Sequence, residues 1–124
     1  MQKGVKSPRV TILGLTYKEN IPDIRNTRVV DILRELRSFH IEVCVCDPQA
    51  HAPQVKKEYG FDLRPLSEAS PADAVIFAVP HQTYVDGGWE LMRLLLKEKD
   101  GIVLDVKNRL PRAQKPDFVH LWRL

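Results

Sequence analysis

Two hydrophobic periods alternate along this chain. Short, unbroken apolar runs occur at Arg9 to Leu15 (RVTILGL), Ile41 to Cys46 (IEVCVC), Ala74 to Val79 (AVIFAV) and Gly101 to Val106 (GIVLDV). Runs of this length with β-branched members predict parallel strands covered on both faces. After Arg28 the period changes: Val29, Ile32, Leu33, Leu36 and Phe39 recur at spacings of three and four, the stripe of an amphipathic helix. Asn26 or Thr27 is placed to cap it. His51 to Tyr59 predicts a short helix closed by Gly60 in a left-handed C-cap. Phe61 to Arg64 reads as a brief strand and Pro65 to Asp73 as a connection with one helical turn. PHQTYVDGG reads as a loop, and Trp89 to Lys97 as a helix with Leu91, Leu94 and Leu95 inward. A Pro/Arg/Lys-rich loop and a last short strand, Phe118 to Leu124, complete the chain.

Strands alternating with helices predict an α/β, Rossmann-like, doubly wound and mainly parallel sheet with helices on both faces. The expected organisation is a polar tail or added start at 1–8 and a single domain at 9–124. Because the fold begins at Arg9 with no lead-in, the chain is expected to be a fragment of a longer protein. The length of 124 residues suits one core. With 44% apolar and 28% charged residues the balance is ordinary for a globular domain, which excludes disorder of the whole chain. The net charge of +3 is mild, no basic run resembles a nucleic-acid arm, and aromatics are sparse. No nucleic-acid partner is therefore expected. The start lacks a signal-peptide pattern and no apolar run has spanning length, so the expected setting is the cytoplasm, without a membrane partner. Cys44 and Cys46 share a face of one strand, where a disulfide is geometrically poor, and are read as reduced packing residues.

Ligands of such folds bind at the carboxyl ends of the strands, near a switch in strand order. That rule directs attention to four loops. The first, GLTYKENIPDIRNT from Gly14 to Thr27, stands where a dinucleotide-binding fold places G-x-G-x-x-G, yet has one glycine. It offers side chains instead of a backbone cradle: Lys18 and Arg25 as donors to phosphate or ribose oxygens, Tyr17 to stack or hydrogen-bond, and Asp23 to orient Arg25 or bind a ribose hydroxyl. A solvated charged loop with an Asp–Arg surface pair is the competing reading. Asp47 reads as a ribose-binding acid or as an Asp-Pro turn residue. His81 reads as a donor or general base, or as a structural histidine without a neighbouring acid in sequence. Lys107, after LDV, can reach a phosphate or a uracil carbonyl, or form a solvated basic turn with Arg109 and Arg112. No nucleophile–base pair, P-loop or metal-ligand spacing appears, so no catalytic or metal-binding residue is assigned. By its own residues the chain is a binding module.

The run ILGLTYKENIPDIRNTRVVDIL closely resembles the start of the C-terminal domain of the UDP-glucose/GDP-mannose (nucleotide-sugar) dehydrogenases. The pattern G-[LF]-[TA]-[FY]-K-x-x-x-x-D-x-R-x-[ST] is met by Gly14, Leu15, Thr16, Tyr17, Lys18, Asp23, Arg25 and Thr27. CDP at Cys46 to Pro48, ADAVIFAVPH, IVLDVKN and the closing LWRL match as well. The flavour is that of bacterial UDP-N-acetylhexosamine 6-dehydrogenases of polysaccharide biosynthesis. The resemblance implies a UDP-binding domain of an NAD-dependent oxidoreductase that converts the sugar C6 alcohol of a UDP-sugar to a carboxylate. It implies Tyr17, Lys18 and Lys107 as substrate-binding residues and Arg25 as a contact to NAD, itself held mainly by an N-terminal domain absent here. Many relatives carry Arg where Lys107 stands, and an ammonium does not copy a guanidinium fork. The family's catalytic cysteine is missing, since Cys44 and Cys46 lie inside a strand. The fragment is therefore expected to be inactive alone. The full-length enzyme is expected to be a homodimer through a helix absent here, which leaves the fragment free to be a monomer. The alternative is a stand-alone nucleotide-binding or assembly module without redox activity.

Overall fold

A computed structural model of the chain describes residues 8–25, 27–69, 71–97 and 100–123. Residues 1–7 of the tail expected at 1–8, and the proposed cap Asn26, lie outside the described residues. Five strands form one sheet: β1 (Arg9–Leu13), β2 (Glu42–Cys46), β3 (Ala74–Phe77), β4 (Gly101–Asp105) and β5 (Val119–Arg123). Their order is β2-β1-β3-β4-β5, and every pairing is parallel. Three helices connect them: α1 (Val29–Ser38), α2 (Ala52–Tyr59) and α3 (Gln82–Leu95). The order is that of flavodoxin-like doubly wound folds, whose ligand crevice lies where the winding reverses, between β1 and β3.

The alternation of β1 explains its central place. Val10 and Ile12 point into a cluster with Val29, Val30 and Leu33 of α1 and Val55 of α2. Leu13 points to the opposite cluster, with Phe77 and with Tyr84, Trp89, Met92 and Leu95 of α3. Successive side chains on a strand face opposite ways, so a strand covered on both sides is apolar at nearly every position; in β1 the buried polar exception is Thr11. α1 carries the predicted stripe, except that Phe39 lies beyond its end and is 67% exposed. Thr27, one of the two expected caps, accepts the Val29 N–H on its hydroxyl at 3.1 Å. α2 ends as predicted, with Gly60 at φ 80° and its N–H on the Lys56 carbonyl.

Three local expectations are corrected. PHQTYVDGG is not all loop: α3 starts at Gln82 and runs through a break at Gly88, whose φ of 52° and ψ of −143° are non-helical. The Gly-Gly pair signals the break, not the start of the helix. In α3 the inward residues include Trp89 and Met92, whereas Leu94 is 71% exposed. Trp89 is also pinned by its indole N–H, which donates to the Pro111 carbonyl at 2.7 Å. Finally, 61–64 is not a strand; one bond, Arg64 N–H to the Val45 carbonyl at 2.9 Å, ties it to β2.

Candidate functional site

All five strands being parallel, the loops after β1, β2, β3 and β4 emerge along one edge of the sheet. The loop after β1 leaves through Gly14 at φ 102°, where an added Cβ would stand 2.5 Å from Val79 Cβ and 2.8 Å from its nitrogen. The glycine thus lets the ends of β1 and β3 approach, and the Ala78 and Val79 N–H groups both donate to the Leu13 carbonyl. The next two N–H groups, Leu15 and Thr16, donate to Asp47 Oδ2 at 2.6 and 3.0 Å. In a phosphate-binding turn such donors face the anion. Here the protein's own carboxylate takes them. Asp47 Oδ1 accepts from Gln49 N–H and Ala50 N–H at 2.7 and 3.0 Å, closing its Asp-Pro turn. The turn reading of Asp47 is therefore right but partial, because the same carboxylate anchors the first loop. All of its acceptor capacity is directed inward, which leaves none for a ribose.

His81 completes the knot. Its ring is fully buried, as is the Asp47 side chain, and Nε2 stands 2.9 Å from Asp47 Oδ2 and 3.1 Å from Thr16 Oγ1. The Asn20 N–H donates to Nδ1 at 2.9 Å, and the Thr16 hydroxyl donates to the Lys18 carbonyl at 2.9 Å. These partners assign the proton to Nε2, which donates to Asp47 and Thr16. Asn20 in turn accepts the Gln82 N–H on its side chain at 2.8 Å, joining the loop to the start of α3. Burial pushes the Asp47 carboxyl up, but the His81 bond and the backbone N–H groups outweigh it and hold it below the ordinary carboxylate range. Sequence spacing hides this pair, 34 positions apart. The usable signal is that both residues follow closely on the ends of buried parallel strands, flanking the switch point.

The knot buries the middle of the crevice and turns other side chains outward. Tyr17 is 59% exposed, and Lys18 is exposed beside it. Tyr17 N–H donates to the Asp23 carbonyl at 2.7 Å, so the segment between them closes on itself. Arg25 forks onto Asp23 with Nε–Oδ1 at 3.0 Å and Nη2–Oδ2 at 2.9 Å. That guanidinium holds the Asp23 carboxyl down, to about 2, and Asp23 orients Arg25 as one of its expected roles required. At this exposed position the pair is a positioning device with little net stability.

Lys107 follows β4 in a turn that Asp105 fixes. The fully buried Asp105 carboxylate accepts from Arg109 N–H at 3.0 Å and Leu110 N–H at 2.8 Å. Arg123 of β5 donates from Nη2 to the Leu110 carbonyl. Asp105 is a positioning residue that sequence reasoning missed; nothing in LDV distinguishes it from a solvent-facing acid. Among the described residues neither Lys18 nor Lys107 has a carboxylate partner. One strand, β3, separates β1 from β4, so the two loops spring from points about 10 Å apart, two strand spacings. Among the described residues no group of three or more His, Cys, Asp or Glu side chains is placed to hold a metal, and no helix is long and apolar enough to cross a membrane.

Residues 11–112 match the model of the UDP-glucose/GDP-mannose dehydrogenase family, UDP binding domain. The chain belongs to this family. It is 43% identical over 118 residues to UDP-N-acetyl-D-glucosamine 6-dehydrogenase of Salmonella typhi, covering 92% of this chain and 27% of that protein. It is 40% identical over 121 residues to Protein CapL of Staphylococcus aureus, covering 97% and 28%. Among solved structures, the NDP-N-acetyl-D-galactosaminuronic acid dehydrogenase of Methanosarcina mazei shares the fold with a TM-score of 0.77 at 17% identity, over 94% of this chain and 24% of that one. This UDP-binding domain thus spans little more than a quarter of the length of the curated relatives it matches. Membership bears out the fold class and the family resemblance read from the sequence, and does not favour the assembly-module alternative.

Proposed function

We propose that this domain is the C-terminal, UDP-holding part of an NAD-dependent 6-dehydrogenase that oxidises the C6 alcohol of a UDP-sugar, UDP-glucose or a UDP-N-acetylhexosamine, to the carboxylate. The observation that carries the reading is the presentation of Tyr17 and Lys18 on a hydrogen-bonded loop. The Asp47–His81–Thr16 knot holds their loop at the switch point while both side chains remain exposed. Lys18 and Lys107 would hold the diphosphate or uracil oxygens, and Tyr17 the nucleotide sugar. The names of the relatives support the substrate class.

The first loop does not fit the pyrophosphate of NAD. Val79 fills the space behind Gly14, and Asp47 occupies the two N–H groups a phosphate would need. The cofactor would be bound by another part of the enzyme, with Arg25, 83% exposed at its side chain, reaching it from this domain. The residues described bind and orient; none takes part in hydride transfer. Full-length protein would be a homodimer acting in the cytoplasm.

Two outcomes test this. Titration of the 124-residue chain with UDP should shift amide resonances around Lys18 and Lys107. A charge-assisted contact is worth about 1.5–3 kcal/mol, so Lys18→Ala should weaken UDP by about tenfold or more. Equal affinity in wild type and variant would remove Lys18 from the site. Incubation with NAD and a panel of UDP-sugars should yield no NADH; turnover by the chain alone would refute its reading as a non-catalytic part.

A further inference from the structure

Lys107 is exposed, and no carboxylate among the described residues pairs with it. Its side chain is a point charge on a flexible stem, so the backbone turn decides the region its ammonium can reach. That turn is held from several sides. The Asp105 carboxylate takes the Arg109 and Leu110 N–H groups at 3.0 and 2.8 Å. The Leu110 side chain is buried, and Trp89 of α3 donates to the next carbonyl, that of Pro111.

Arg123 closes the arrangement from the neighbouring strand. It stands directly opposite Asp105 in the β4–β5 register, so both side chains lie on one face of the sheet. Nη2 donates to the Leu110 carbonyl, while the buried Nε makes no hydrogen bond and lies 4.0 Å from Asp105 Oδ2. Among the described residues no other cation comes within 4.0 Å of that carboxylate. A buried carboxylate is costly unless it is both paired and hydrogen-bonded. Arg123 supplies the charge, and the turn's own N–H groups supply the bonds.

The loop of Lys18 is built the same way. Asp47 takes two successive N–H groups, Leu15 and Thr16, and is locked by His81, which follows β3. Asp105 takes two successive N–H groups, Arg109 and Leu110, and is faced by Arg123 of β5. Each exposed lysine is thus presented by a buried aspartate and a partner from another strand.

We propose that Arg123 is a positioning residue of the nucleotide site: by closing on Asp105 and the Leu110 carbonyl it fixes the turn from which Lys107 reaches the anionic oxygens of a nucleoside diphosphate. The inference rests on the reading of this domain as UDP-holding. Arg123 acts through Lys107 and not by a contact of its own.

The test is a double-mutant cycle on the 124-residue chain, read by UDP titration. Arg123→Gln should weaken UDP by about three- to tenfold, less than the loss of a whole charge-assisted contact. In a Lys107→Ala background the same change should have no further effect, because the group it positions is gone. Arg123→Lys keeps the charge but not the fork, and should retain a loss of about twofold that likewise vanishes without Lys107; it carries the cycle if Arg123→Gln does not fold. Amide exchange without UDP should show Arg109 and Leu110 less protected in Arg123→Gln, with Leu15 and Thr16 unchanged. Wild-type affinity in Arg123→Gln, or a loss that adds in full to that of Lys107→Ala as a merely structural residue would give, overturns the proposal. Weakening by Lys18→Ala but not by Lys107→Ala would overturn it and leave the UDP-holding reading standing. A wild-type chain that does not bind UDP would overturn both.

Discussion

Asp47→Ala is expected to destabilise the domain by about 3–5 kcal/mol, measured by urea denaturation, because it strips a buried carboxylate from every partner at once. Oδ2 accepts from Leu15, Thr16 and His81, and Oδ1 from Gln49 and Ala50. With the carboxylate gone, two N–H groups at the end of β1 and the His81 N–H lose their acceptor inside a site that water does not reach. Asp47→Asn keeps the shape but sets an NH₂ against donors, and should recover only part of the loss. The same residue predicts a pH dependence. A carboxyl whose folded pKa lies below its unfolded value stabilises fully above the unfolded value, about 4, and loses that contribution as pH falls through the folded value. Wild type should therefore lose stability on acidification below about pH 4 more steeply than Asp47→Asn. Equal slopes would show that the carboxylate is not held as described. Since the knot carries Tyr17 and Lys18, UDP affinity should fall in both variants even where the fold survives.

Gly14→Ala is expected to cost about 3 kcal/mol, and to do so without removing a single contact. The φ of 102° lies where an L side chain is strained, and the new methyl would meet Val79 at 2.5 Å, a backbone-anchored neighbour with nowhere to go. Relief requires β1 and β3 to part at the switch point, which would also stretch the Ala78 and Val79 bonds to the Leu13 carbonyl. Gly60→Ala is the matched control. Its φ of 80° carries the left-handed penalty, but nothing lies within 4 Å of an added Cβ. It should cost about 1 kcal/mol. Similar midpoint shifts for the two would mean that crowding at Gly14 is unimportant. A glycine that reads as the remnant of a phosphate turn is then a packing glycine, and the loop's binding power must come from side chains.

Much of the architecture is legible in the sequence because burial on two faces leaves a local signature. The runs at Ala74 to Phe77 and Gly101 to Asp105 announce parallel strands without knowledge of their partners. Helix α1 is equally plain from its stripe, and α2 from its Gly60 stop. The early start of α3 is not, because Gln82 to Gly87 carry turn-like residues and their helicity is secured from outside, by Tyr84 packed on Phe77 and by loop bonds to Gln82. Tertiary context overrides weak local preference there.

At the site the division is sharper. The sequence alone identifies the family, the carboxyl-edge loops, and Tyr17, Lys18, Arg25 and Lys107 as the polar groups offered by them, since each stands in a fixed position after a recognisable strand. It also shows that the first loop lacks the glycines of a dinucleotide turn. Only the tertiary structure shows why that loop needs none: Asp47, from the next strand over, fills the anion position, and His81, from the strand on the other side, locks it. Those partners are brought together by strand order, a global property that no local period encodes. The same holds for the two cysteines of β2: they share one face, and only the chain packed over that face buries Cys46 fully and leaves Cys44 partly covered.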